Sequence, residues 1–338
     1  MGIATKDRGD GLKNLDFLQV NKFGNKGGFG KVGVLMGGAS TERGVSLKSG
    51  KAVYESLKQL NLNVIAVDIT TDNIDENKEL IEAQKIDCAF LALHGRFGED
   101  GQIQEILESL KIAYTGSGAL ASRIAMDKVA SREIFQSHGL RVPKCEVLEK
   151  AVYKRGNTFD VKEFKAPFVV KPVAHGSSVG LSIVDKESDL DNAVNLAFSF
   201  DERVLIEEYI SGREVTVGIL DDHVLPVVEI IPKKRFFDYE AKYQAGMTEY
   251  IVPAKLEDKI VHDLGEMALK AHKALGCYGC SRVDIILHNA DMPVILEVNT
   301  IPGFTQTSLL PKAAKAAGIG FAQLCGKLIQ LAYEKAHA

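Results

Sequence analysis

From Lys31 onward the chain alternates short apolar runs with segments of helical period, and few fold classes accommodate that alternation. Lys31–Met36 reads as a buried strand that runs into a glycine turn. A helix is expected from about Glu42 to Leu60, with Val53, Leu57 and Leu60 at helical spacing. Strand Asn63–Ile69, a helix near Asn73–Gln84, strand Cys88–Leu93 and helix Gln102–Leu110 continue the pattern. The implied α/β architecture is a parallel sheet with helices on both faces, whose ligands sit beyond the carboxyl ends of the strands. Two of those ends carry unusual residues, GGASTERGVS at 37–46 and HGRFGEDG at 94–101. Glu42 and Glu99 read there either as site residues or as partners of a helix dipole. His94, at the end of a buried strand, is a candidate functional residue.

Composition removes several classes. At 338 residues the length suits about two domains, with three small ones allowed. The net charge of −4 leaves no global basic field for nucleic acid or an anionic membrane. No apolar run approaches the roughly 20 residues of a membrane span, and residues 1–30 lack the apolar core of a signal peptide. Five cysteines in so long a chain do not make a disulfide scaffold, which points to a reducing compartment. A cytoplasmic enzyme or binding protein is expected.

Residues 1–30, rich in Gly, Lys, Asn and Asp, read as a mobile extension. Within them Gly28-Phe-Gly30-Lys-Val-Gly33 matches G-x-G-x-x-G, but it precedes a strand, whereas a dinucleotide fingerprint follows one. A second unit begins near Gly118 with a single helix to His138 that contains Met126-Asp127-Lys128, then a connecting strand Arg141–Leu148. Lys171 sits in the apolar run Pro167–Pro172, and a lysine so placed calls for an anionic partner. The loop His175-Gly-Ser-Ser-Val-Gly180 follows directly. It reads either as an anion-binding turn, offering N–H groups and hydroxyls, or as an ordinary hairpin turn. It is not a Walker loop, and the glycine spacing at Gly44–Lys51 is wrong for one as well.

After the strand Val204–Ile210 a third unit starts at Ser211–Glu214. A hairpin is expected from Glu214–Gly218 and Val224–Ile231 around Asp221-Asp222. The long aromatic and basic segment from Pro232 to about Met247 suits a lid. Helix Leu256–Leu275 and two helices after Thr305 complete the unit. Cys277-Tyr-Gly-Cys280 is a lone C-x-x-C without a second pair or nearby histidines.

Between the last helices, Arg282–Leu287 and Val294–Asn299 flank a turn-forming His288-Asn289-Ala290-Asp291. Pairing Leu287 with Val294 sets Asp284 opposite Glu297 and Arg282 opposite Asn299, all on one face. Opposed carboxylates about 4.5–5.5 Å apart at Cβ repel, and a hard divalent cation removes the conflict. A solvated face of alternating polar residues is the other reading.

Seven stretches carry a resemblance: Gly37–Ser46, His94–Gly101, Met126–Lys128, Val170–Gly180 (VKPVAHGSSVG), Asp238–Tyr243 (DYEAKY), Gly279–Asp284 (GCSRVD) and Glu297–Ser308 (EVNTIPGFTQTS). Together, in this order over residues 31–336, they resemble the ATP-grasp ligases, and within them the D-alanine–D-alanine ligases. The resemblance implies an ATP-grasp fold: an N-terminal parallel-sheet substrate domain at 31–122 and two α+β subdomains, 123–212 and 213–338, clasping ATP. It implies that Glu42 holds the ammonium of the first D-alanine, near His94 and Ser308. Ser177 would bond to Glu42 and to Tyr243 of the lid. Lys128, Lys171 and Lys242, with Ser178 of the loop, would face the ATP phosphates. Glu207, Glu208, Tyr209 and Ile210 would frame the adenine, and Glu214 the ribose. Asp284, Glu297 and Asn299 would hold two Mg²⁺ ions, or Mn²⁺ in their place. Arg282 and the Gly303 N–H would stabilise an oxyanion, while Ser308 and Leu309 seat the second D-alanine.

The implied reaction is ATP-dependent joining of two D-alanines through an acyl phosphate, for peptidoglycan precursor synthesis, by a cytoplasmic homodimer. Such chemistry depends on positioning, charge neutralisation and exclusion of water, which these residue types can supply. The Lys242-Tyr243 pair implies D-alanine as second substrate, with D-lactate or D-serine as the alternatives and a non-catalytic nucleotide-binding module as a remote one. The chain departs from the family pattern at Glu208, where many relatives carry lysine, and at Ile301, where others carry serine.

Overall fold

The computed structural model describes residues 28–153, 165–233, 246–289 and 291–337. Residues 1–27 of the expected extension and 234–245 of the expected lid, with Lys242 and Tyr243, lie outside the described residues.

Among the described residues three sheets organise the chain. The first joins β1 (Lys31–Gly37), β2 (Asn63–Ile69), β3 (Cys88–Leu91) and β4 (Ala113–Tyr114) in the order β2-β1-β3-β4, all parallel. Central β1 is buried along almost its whole length, whereas β2 at the edge alternates buried and exposed residues. Helices α1 (Arg43–Gln59), α2 (Ile74–Gln84) and α3 (Gln102–Ser109) connect the strands. Strand β3 stops two residues short of the expected Leu93. There the hydroxyl of Thr115 accepts the N–H of Leu91 and replaces the ladder bond.

The single helix expected between Gly118 and His138 is two, α4 (Ala119–Met126) and α5 (Lys128–Ser137). Asp127 breaks them apart because its carboxylate accepts the N–H groups of Val129 and Ala130, capping α5. A second sheet follows, with β5 (Cys145–Glu149), β6 (Phe168–Pro172), β7 (Ser182–Val184) and β8 (Arg203–Glu208) antiparallel in the order β5-β8-β6-β7. Helix α6 (Leu190–Phe198) covers it through Leu190, Val194 and Ala197.

The third sheet contains β9 (Arg213–Leu220), β10 (His223–Val224), β11 (Val228–Pro232), β12 (Thr248–Ile251), β13 (Cys280–His288) and β14 (Met292–Asn299). The expected 214–231 hairpin is interrupted. Its turn sits at Asp221-Asp222, both at positive φ as a tight hairpin turn requires. Pairing then lapses around Pro226, which has no N–H to give, and resumes at Val228. Helix α7 (Asp258–Ala274) packs Leu264, Ala268 and Ala271 beneath the sheet.

Strands β13 and β14 pair Arg282 with Asn299 and Asp284 with Glu297, as expected, but not by the expected register. Leu287 faces Pro293, not Val294, because the ladder slips by one residue just after Asp284. Ile285 faces Ile295, so Leu296 is the extra residue of a β-bulge. Ile285 and Ile295 stay in the core while the consecutive Leu296 and Glu297 both remain half-buried on the opposite side.

Helices α8 (Leu309–Ala316) and α9 (Phe321–Ala336) fill the space between the first and third sheets, with Leu310, Leu324 and Leu328 beside Val34, Phe90 and Leu220 in one core. Phe90 of β3 meets Phe304 edge-on at 5.4 Å between ring centres. Such a pair adds about 0.5–1.5 kcal/mol beyond burial. It fixes the loop after β14 against the carboxyl end of the parallel sheet.

Candidate active site

The first part of the site grows from the ends of β1 and β3. Gly37, at φ +96°, turns the chain away from β1, and a Cβ there would meet the Asp68 carboxylate. The Ser46 hydroxyl accepts the N–H of Gly37 and donates to the carbonyl of Ala92, tying the two strand ends together. Glu42 stands at the N-cap position of α1, but its side chain does not cap the helix. Its Oε1 accepts the hydroxyl of Ser177 instead. Glu99 also lies outside a helical first turn and pairs with His94, Oε1 to Nδ1 at 3.3 Å. The other ring nitrogen of His94 is 3.0 Å from Ser49 Oγ, which accepts the N–H of Phe304. A carboxylate on Nδ1 requires Nδ1–H, so in the neutral ring Nε2 accepts the Ser49 proton. His94 is thereby locked to Ser49, and Ser49 to the loop after β14.

That loop supplies the next wall. Ser308 precedes α8 and accepts the N–H of Thr305 at 3.1 Å. A Cβ at Gly303 would stand 3.0 Å from Ser308 Oγ, so glycine lets the backbone approach. Asn299 Oδ1 accepts the N–H of Ile301 at 2.9 Å, which leaves one lone pair of that oxygen toward the site.

The third part lies between the second and third sheets. Arg282 grips Asp284 with both ends of its fork, Nε to Oδ1 at 2.8 Å and Nη2 to Oδ2 at 2.7 Å. Thr216, paired with Asp284 across β9, reaches Oδ1 at 2.7 Å. Glu297 lies 3.7 Å from the ammonium of Lys128, which also donates to the carbonyl of His175 at 2.6 Å. Burial lowers the pKa of Lys128, and Glu297 opposes the shift. The anionic partner expected for Lys171 is a protein group, Glu207, at 2.8 Å. Between them the loop at 175–180 holds Ser177 at φ +52° and Ser178 at φ +58°. Such conformations are uncommon outside glycine and collect at ligand-binding turns.

These parts enclose two cavities. One, of about 470 Å³, is lined by Glu42, His94, Arg282, Asn299, Gly303, Ser308 and Leu309. The other, of about 500 Å³, is lined by Lys171, Ser178, Glu207, Glu208, Tyr209, Ile210, Glu214 and Asp284. Lys128, Gly176, Ser177 and Glu297 line both, so the cavities meet at the serine loop and the end of β14. Every expected site residue among the described ones thus borders a cavity.

Asp284, Glu297 and Asn299 offer two carboxylates and an amide oxygen, a donor set suited to a hard divalent cation completed by phosphate oxygens. Two side-chain cations already stand against those carboxylates, and no group of three or more His, Cys, Asp or Glu converges among the described residues. The set therefore fits a metal that arrives with an anionic ligand better than a closed structural site. Cys277 and Cys280 line neither cavity, and burial pushes both thiols up to about 12.

Sequence reasoning missed Ser49, Thr216 and Arg132. Arg132 is buried on α5 one turn beyond Lys128 and pairs with Glu207, and that i, i+4 spacing was the available signal.

Two antiparallel sheets around one cavity, beside a parallel sheet carrying the other, define an ATP-grasp fold. Family models described as "D-ala D-ala ligase N-terminus" and "D-ala D-ala ligase C-terminus" match residues 31–82 with 72–117, and residues 134–330. The D-alanine–D-alanine ligase of Pelotomaculum thermopropionicum is 46% identical over 313 residues, spanning 90% of this chain and 97% of that one. The crystal structure of D-alanine–D-alanine ligase from Bacillus anthracis complexed with ATP superposes with a TM-score of 0.79 at 34% identity, covering 91% of this chain and 99% of that one. The VanG D-Ala:D-Ser ligase from Enterococcus faecalis gives a TM-score of 0.76 at 32% identity, covering 90% and 99%. The chain belongs to the D-alanine–D-alanine ligase family.

Proposed function

We propose that this protein joins two D-alanine molecules into D-alanyl-D-alanine, converting ATP to ADP and phosphate, for peptidoglycan precursor synthesis. The observation that carries this reading is the pair of cavities that meet at Lys128, Gly176, Ser177 and Glu297. A nucleotide in one and an amino acid in the other bring a phosphate and a carboxylate to that shared wall.

In the nucleotide cavity, Glu207–Ile210 frame the base, Glu214 takes the ribose, and Lys128, Lys171 and the serine loop meet the phosphates. In the amino-acid cavity, Glu42 holds the first ammonium, oriented by Ser177, with His94 and Ser308 beside it. The carboxylate oxygen of that D-alanine attacks the γ-phosphorus. The new O–P bond forms as the bond to ADP breaks, and an acyl phosphate results. The amine of the second D-alanine, seated near Ser308 and Leu309, then attacks the acyl carbon. Arg282 and the Gly303 N–H face the developing oxyanion; as it collapses, phosphate leaves with its electron pair and the nitrogen gives up its extra proton to water. Donors fixed in a closed site stabilise that charge without reorganisation.

Asp284, Glu297 and Asn299 would hold Mg²⁺, or Mn²⁺, which supplies charge neutralisation to the phosphates when bound. The units 31–122, 123–212 and 213–338 carry the amino-acid, nucleotide and metal parts respectively. The reading takes the enzyme as a cytoplasmic homodimer, the compartment on the strength of its cysteine content and the dimer on the family resemblance alone. Among the described residues, no helix is long and apolar enough to cross a membrane.

The deciding experiment follows ADP release from ATP and Mg²⁺, without amino acid, then with D-alanine, then with D-lactate. D-alanine-dependent ADP with formation of the dipeptide is expected. No dependence on D-alanine would overturn the reading.

A further inference from the structure

Arg132 borders neither cavity, yet its side chain is only 4% exposed and its guanidinium pairs with Glu207. Glu207 is 3% exposed and divides its two oxygens, Oε2 toward Arg132 and Oε1 toward Lys171 at 2.8 Å. The three residues come from α5, β8 and β6, and the antiparallel β6–β8 register puts Lys171 and Glu207 diagonally on one face. Glu207 and Lys171 reach the nucleotide cavity, so the ion triad runs from the core to its wall.

The charges decide what such a triad does. A buried Lys171–Glu207 pair alone would be neutral, and drawing the lysine toward a phosphate would strand a carboxylate out of water, which is strongly unfavourable. With Arg132 behind it, Glu207 keeps a partner whichever way Lys171 turns. Two cations against one carboxylate also leave a positive charge at the cavity wall. Burial works against the charge of Glu207, but Arg132 and then Lys171 outweigh it and hold its pKa below the usual range. Arginine suits the task because it stays charged when buried.

We infer that Arg132 is a positioning residue for nucleotide binding: it anchors Glu207, so that Lys171 can leave Glu207 for an ATP phosphate without leaving a buried carboxylate unpaired. The inference rests on the assignment of ATP to the cavity lined by Lys171, and it concerns a residue that touches no substrate.

The test uses the full chain, titrated with ATP and Mg²⁺ in the absence of D-alanine, alongside steady-state kinetics. Arg132→Met is expected to weaken ATP binding by about ten- to a hundredfold, the worth of one charged hydrogen bond, and to raise KM for ATP while KM for D-alanine stays put. Arg132→Lys should restore most of the affinity. Arg132→Met combined with Glu207→Gln should bind ATP better than Arg132→Met alone, because no buried carboxylate is left to hold the lysine. That double variant, in which Glu207→Gln is isosteric and both new side chains are neutral, also serves if Arg132→Met does not fold: ATP binding within about tenfold of the wild type is then expected, and a loss beyond about a hundredfold would overturn the inference. ATP affinity of Arg132→Met equal to the wild type would overturn the inference, as would parallel rises in both KM values with no gain from the double variant. Because the titration needs no D-alanine, a failure of the ligation reading shows separately, in the ADP-release assay.

Discussion

The Ser177 hydroxyl donates to Glu42 Oε1, joining two residues 135 positions apart. The contact closes the serine loop of the central unit onto the end of the parallel sheet. Ser177→Ala should lower kcat/KM for D-alanine about tenfold, the loss of one hydrogen bond to a charge. Glu42→Gln should cost more, since an ammonium would lose its counter-charge. Steady-state kinetics at saturating ATP would show both, and an unchanged KM for D-alanine in Glu42→Gln would contradict the assignment.

Arg282→Ala should reduce kcat by about 10²–10³, the usual cost of an oxyanion donor. ATP affinity should stay near wild type, because Arg282 lines only the amino-acid cavity and Thr216 still holds Asp284. Lysine should restore little, since it lacks the fork that spans both oxygens of Asp284. A titration showing parallel loss of ATP binding would make Arg282 structural.

Chelation of divalent cations should abolish ADP release, and Mg²⁺ or Mn²⁺ should restore it. Asp284→Asn should raise the Mg²⁺ concentration required, because one of the two facing carboxylates is lost. Full activity in excess chelator would remove the metal from the scheme.

Asp127→Ala removes the cap of α5 and the partner of Arg203, and should cost about 1–2 kcal/mol. Burial raises the pKa of Asp127, but Arg203 and the two capping N–H groups lower it overall. A depressed carboxylate contributes stability that is complete above its unfolded value of 3.8 and is lost as pH falls through the folded value. Wild type and Asp127→Ala should therefore differ most at neutral pH and converge in acid. Denaturant midpoints across that range would check the sign.

D-alanine should exceed D-lactate and D-serine in kcat/KM as second substrate near neutral pH. The similarity to a D-Ala:D-Ser ligase makes D-serine the informative comparison. Higher kcat/KM with either competitor would reassign the acceptor site.

The parallel sheet was legible because buried strands and amphipathic helices impose their periods on sequence. The facing of Asp284 and Glu297 was legible for the same reason. The bulge was not: Leu296 extends an apolar run, and nothing local marks it as unpaired. Asp127 was read as part of one helix because the apolar period continues through it. Only its capping bonds reveal the break. Lys171 announced an anionic partner, but a single chain cannot say whether that partner is a ligand or Glu207, which lies 36 residues on. Arg132 passed unnoticed because an arginine on a helix usually reads as surface.

The bulge after Asp284 also bears on how this site can change. Ile295 would directly precede Glu297 in regular alternation if Leu296 were absent, and the facing carboxylates would keep their places. What Leu296 adds is an apolar side chain on the nucleotide cavity, immediately beside a carboxylate, where a flat ladder permits only one of the two. Deleting this single residue would therefore take apolar surface out of the cavity without moving Asp284 from its place opposite Glu297. A lineage could reshape this wall of the cavity here while its facing carboxylates stayed in register.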